Sequence, residues 1–167
     1  DVLLDRARRR RAQLVSSPIR ELDQRARPLR AFVDALIEAP LVDGTVGSPY
    51  PLELTADGAR SLVIHACVEA RRGGMPWIMV TQRPEGTSLF AAAAREACAA
   101  PGEPATIVES RLRAELGAED VEAIVVLAEH GMWACCGIEE RDRFVAVHAA
   151  EPAMVDALAR KLAEASR

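Results

Sequence analysis

Asparagine is absent from this chain of 167 residues, and Lys161 is the single lysine among 21 basic side chains. That skew reads as codon bias and carries no chemistry. Aromatic residues make up only 4% of the chain, so each tryptophan has to be accounted for. No apolar run approaches the roughly 18 residues of a membrane-spanning helix, and the amino end lacks the apolar stretch of a secretory signal. A cytoplasmic protein with no membrane partner is expected. A basic excess is missing as well: the formal net charge is −4, which argues against attraction of the whole domain to nucleic acid. Any such contact would come from the local cluster Arg6 to Arg11 or from an upstream domain. Asp1 and Asp5 beside that cluster make a solvated face the plainer reading. Because the first residue is Asp1 rather than Met, further sequence upstream is expected.

Also missing are the spacings that nominate a reaction. Cys67, Cys98, Cys135 and Cys136 include no C-x-x-C pair, and Cys67 and Cys98 fall on apolar faces of expected helices, where free cysteine acts as a small hydrophobe. None of the usual zinc spacings joins His65, His130 or His148 to Cys135 and Cys136. Adjacent residues on a strand also point to opposite faces. Cys135 to Arg141 has the C-x5-R spacing of a cysteine phosphatase. Glu139 and Glu140 occupy what would be its phosphate loop, however, and strands are expected on both sides, so charge and context oppose it. There is no glycine-rich phosphate loop and no G-x-S-x-G elbow. No catalytic residue and no metal ligand is nominated, and the residues name no cofactor.

What is present is apolar patterning. Half of the residues are hydrophobic, enough for one domain to bury a core. From Val15 to Leu36, the positions Val15, Ile19, Leu22, Ala26, Leu29, Val33 and Leu36 alternate steps of four and three, the spacing of a helical seam. An ordinary helix packed on its own domain explains this, and a homodimer joined through the segment is the sharper alternative. Residues 1–38 are thus expected as a helical extension and 39–54, rich in Pro and Gly, as a linker. Residues 55–167 are expected as an α/β domain.

Within that domain Thr55 caps a helix that stops at Gly73 and Gly74, and Met75 to Val80 reads as a strand covered on both faces. A helix from Thr87, a weaker strand over Ala105 to Glu109 and a short helix near Arg111 to Leu116 follow. The buried strand Ala123 to Ala128 comes next. Met132 to Ile138 and Phe144 to Ala149 are expected as antiparallel strands joined by the turn Glu139 to Arg143. A helix beginning at Pro152 closes the chain. The predicted fold is α/β, a mixed sheet of about five strands, parallel first and antiparallel last, flanked by helices.

The last third, Ala123–Ala128, Gly131–Gly137, Phe144–Ala149 and Pro152–Leu162, has a strand, strand, strand, helix order. In this it resembles the phospholipase-D-like, ligand-sensing domain of TrmB-type bacterial transcription regulators, without the His-x-Lys pair of active phospholipase D enzymes. The resemblance implies a sensory module for a small effector, joined by a helix to a DNA-binding domain. Trp77, Gln82, Arg83, His130, Trp133 and His148 are the candidate ligand-binding residues: two scarce aromatics, two polar groups at a strand end and two histidines able to titrate near neutrality. Trp77 and Trp133 are expected either in the core or as pocket walls. The alternatives to sensing are an enzyme with a thiol at Cys135 or Cys136, and a scaffold subunit.

Overall fold

The computed structural model describes residues 20–35, 50–83, 86–111, 120–141 and 143–165. Helix α1 is described over 20–35. It is followed by β1 (Tyr50–Thr55), α2 (Ala56–Arg72), β2 (Trp77–Gln82), α3 (Leu89–Ala99) and β3 (Thr106–Arg111). Strands β4 (Val121–Ala128), β5 (Gly131–Glu140) and β6 (Arg143–Ala149) and helix α4 (Pro152–Ala165) complete the order. The six strands form one mixed sheet in the order β1-β6-β5-β4-β2-β3. Only β2 and β3 run parallel, joined by the α3 crossover, and every other pairing is antiparallel.

Two expectations change here. The sheet has six strands rather than five, because Tyr50–Thr55, expected inside the linker, is an edge strand paired with β6. Pro51 hides this strand from a sequence reading, yet an edge strand tolerates proline because half of its N–H groups face away from the sheet. The parallel portion is a single strand pair. The expected helix near Arg111 to Leu116 lies outside the described residues beyond Arg111, which ends β3.

Alternation along the strands divides the core in two. Met79, Val125, Cys136 and Val147 face α1 and α4, where Ala26, Leu29, Val33, Val155, Leu158 and Leu162 meet them. Ile78, Ile124, Cys135 and Ala146 face α2 and α3, packed under Val63, Cys67, Phe90 and Ala94. Adjacent Cys135 and Cys136 thus sit on opposite faces, as the pleat requires. The described part of the four-three stripe is a core face of this subunit: Ala26, Leu29 and Val33 are buried against the sheet and α4. Val15, Ile19 and Leu36 lie outside the described residues, as does the Arg6 to Arg11 cluster. A dimer seam along the described stripe would have to displace this packing. Arg25 also fastens the helix to the sheet, reaching Glu53 on β1 at 3.1 Å and Glu140 on β5 at 3.0 Å.

Gly137 shows how tightly the α2–α3 side is filled. The Phe144 ring, 5.2 Å from that of Phe90, packs directly against Gly137. A Cβ there would stand 2.7 Å from Phe144 Cζ and closer still to Cε1. Gly137→Ala is therefore expected to lower unfolding stability by about 1–3 kcal/mol, the usual range for overpacking. Urea unfolding measures it, and a midpoint unchanged from wild type would refute the close approach.

Candidate functional site

The carboxyl ends of parallel strands, where neighbouring strands diverge, are the usual ligand crevice of an open α/β sheet. Here β2 stays paired with β3 through Gln82 but with β4 only through Val80. At the next position the Thr81 hydroxyl stands in for the backbone ladder, accepting from Ala123 N at 2.7 Å. The gap that opens is filled from within. Ser88 Oγ lies 3.0 Å from both Thr81 O and Glu122 Oε2, so its one hydrogen is shared between them. Glu122, 1% exposed, accepts from Leu89 N at 3.0 Å and Phe90 N at 2.7 Å. Ser88, the α3 N-cap, accepts from Ala91 N. The first three N–H groups of α3 are thereby satisfied, and a carboxylate sits where a helix N-terminus would hold a bound anion.

Arg83 completes this arrangement. Its Nε is 3.3 Å from Glu122 Oε1, a charge contact without hydrogen-bond geometry, and its Nη2 donates to Asp120 O at 3.3 Å. Gln82 donates to Glu109. Both candidate residues at this end thus have internal partners. At the far end of α3 the Arg71 guanidinium, 7% exposed, donates to the carbonyls of Ala97, Ala100 and Glu103 at 2.6–2.9 Å. Gly102, at φ +148, leaves room for it, since a Cβ there would stand 3.0 Å from Nη2.

Trp77, His130 and Trp133 lie toward the opposite end of the sheet, about 13–16 Å away at ~3.3 Å per strand residue, whereas His148 is level with Val80 through Cys135 and Ile124. They divide between its two faces. Trp77 lies on the α1–α4 face and is 55% exposed, neither core anchor nor shared pocket wall. Trp133 lies on the α2–α3 face, so the two indoles cannot line one cavity. Trp133 Nε1–H donates to His148 Nδ1 at 3.4 Å, which leaves the imidazole proton on Nε2. Tyr50 stands on the far side of His148 with ring centroids 6.2 Å apart. His130, in the β4–β5 turn, lies over the end of α2, where a Cβ on Gly73 would be 3.3 Å from its Cδ2.

Between α2 and this turn is a cleft of about 250 Å³ lined by Ala66, Glu69, Ala70, Val126, His130, Gly131, Met132 and Trp133. Its α2 wall and the way the His130 turn folds onto it were not legible in sequence, since α2 and β5 are joined only by tertiary packing. A larger cavity, about 850 Å³, lies between α1 and the sheet edge, lined by Leu22 and by acidic and basic side chains that include the paired Arg25, Glu53, Glu140 and Arg143.

The thiols are poorly placed for nucleophilic chemistry. Burial pushes Cys136 up to about 12 and Cys135 well above the ordinary thiol value, the reverse of what activation requires. Arg141 lies in the turn after β5 at φ +57, so the C-x5-R pair spans a strand and its turn rather than a phosphate loop opening a helix.

Two measurements test these placements. Glu122→Ala strands two backbone donors and the Arg83 charge, and is expected to cost about 3–5 kcal/mol in chemical denaturation, with Glu122→Gln nearer 1–3. A loss under 1 kcal/mol for the alanine variant would mean the carboxylate does not hold α3. Burial lowers His148 below its ordinary 6.5, so the unfolded chain takes up this proton at higher pH than the folded one. The contribution is therefore intact above about pH 6.5 and is lost as pH falls toward the folded value. Tm should drop between pH 7 and pH 5 more steeply in wild type than in His148→Gln, and equal slopes would contradict the assignment.

Comparison with protein-family models, with curated proteins and with solved structures finds no match.

Proposed function

We propose that this chain is a sensory module that takes a small, largely apolar ligand in the cleft between α2 and the β4–β5 turn. The observation behind this is the wall provided by Trp133. Its one hydrogen-bond donor is engaged by His148, so the ring meets the cleft as an apolar and π surface, among Ala66, Ala70, Val126 and Met132. A concave, mainly apolar site with a few convergent polar groups is what small-molecule recognition uses. Ligand held between α2 and the turn would bias how that helix end sits on the sheet, provided the two arrangements differ in affinity for it. A regulator of the TrmB type, with sensing in this domain and DNA binding upstream, is the setting the strand, strand, strand, helix order favours.

Partner binding is a second reading, and one observation favours it. Met75 and Trp77 are exposed at 73% and 55%, two large apolar side chains two residues apart where a partner surface could cover them. Enzymatic use of Cys135 or Cys136 has their burial against it.

Benzyl alcohol titrated against the Trp77→Phe protein, in which Trp133 is the only indole, tests the ligand reading. Saturable change in Trp133 emission, weakened at least tenfold by Ala66→Leu, is expected. A response that does not saturate, or that Ala66→Leu leaves unchanged, would remove the cleft as a ligand site.

A further inference from the structure

We infer that the cleft prefers a small organic cation of quaternary-ammonium size over an uncharged or anionic ligand of the same shape. This rests on the cleft being a ligand site at all. Among its eight lining residues the only fixed formal charge is the Glu69 carboxylate. Glu69 stands one turn before the α2 stop at Gly73.

Three further features favour positive charge. Trp133 has its Nε1–H turned to His148, so what remains for a ligand is the ring, whose π face attracts cations. The cleft flanks the last turns of α2, the negative end of that helix's dipole. Of the two arginines at this helix end, Arg71 is taken up elsewhere, buried against the carbonyls at the end of α3. Arg72 does pair with Glu69 at 2.5 Å. Both partners are largely solvent-facing, with side chains 70% and 46% exposed, a setting in which ion pairs contribute little and exchange readily. A ligand cation over Trp133 would compete with Arg72 for Glu69 rather than meet a closed pair.

Size fits as well. About 250 Å³ admits a trimethylammonium group with a short tail, but not a nucleotide or an extended peptide, which fill sites of several hundred Å³. An anion would face Glu69 with no arginine or lysine among the lining side chains.

The test compares isosteres. Choline, its uncharged carbon analogue 3,3-dimethylbutan-1-ol and the anion 3,3-dimethylbutanoate are titrated at constant ionic strength against the full chain carrying Trp77→Phe. Binding is read by Trp133 emission and by saturation-transfer NMR. Choline is expected to bind at least about fivefold more tightly than the alcohol, in line with cation–π contacts at partly exposed sites, with the anion weakest. Glu69→Gln should weaken choline severalfold and leave the alcohol unchanged, and Arg72→Gln should strengthen choline. Equal or tighter binding of the alcohol overturns the cation preference while leaving an apolar ligand site in place. If none of the three perturbs Trp133 and benzyl alcohol also fails to saturate, both the preference and the site fall.

Discussion

Helix α3 carries opposite charges from outside itself at its two ends, and the α2–α3 side of the molecule depends on that arrangement. Its amino end rests on the Glu122 carboxylate, and its carboxyl end is closed by the Arg71 guanidinium. Each charge is opposite in sign to the helix terminus it meets and occupies backbone groups that no intrahelical bond can satisfy. Both contacts are buried, where an unmet partner is costly. They also tie distant elements together, because Glu122 comes from β4 and Arg71 from α2. One helix thus holds the only parallel crossover of the sheet against its neighbours.

That arrangement closes one end of the sheet from within. Strands β2 and β4 part after Val80, the kind of divergence where an α/β sheet commonly admits an anionic ligand, and here Ser88, Glu122 and Arg83 occupy the opening. The chain's own carboxylate plays the part a phosphate would. At the other end the turn His130 makes against the close of α2 leaves a shallow apolar recess with a tryptophan wall. The conventional crevice is thus filled, and the cleft we propose as a ligand site lies at the opposite rim.

Helix α1 belongs to the second core. Its buried positions Ala26, Leu29 and Val33 share apolar neighbours with α4, and Arg25 bridges it to β1 and β5. Four-three spacing specifies that a helix has an apolar seam and is silent about what covers it, because a sheet with a neighbouring helix and a second copy of the same helix accept the same stripe.

The sequence by itself determined the α/β class, the order of the last three strands and the closing helix, and local features such as the Thr55 cap and the opposite facing of Cys135 and Cys136. These depend on period-two and period-3.6 patterning and on side chains that act within a few residues of themselves. It did not disclose β1, because Pro51 looks like a breaker until the strand is known to lie at an edge. Nor did it disclose that Trp77 and Trp133 face opposite ways, although both were legible as strand residues. Which face each one takes depends on register with β4, and register is a property of the pair. The same holds for Glu122, an acid inside an apolar strand that sequence reading passed over. Only the tertiary structure brings the first turn of α3 within hydrogen-bonding reach of it, 32 residues away in the chain, and turns a buried charge into the cap of a helix.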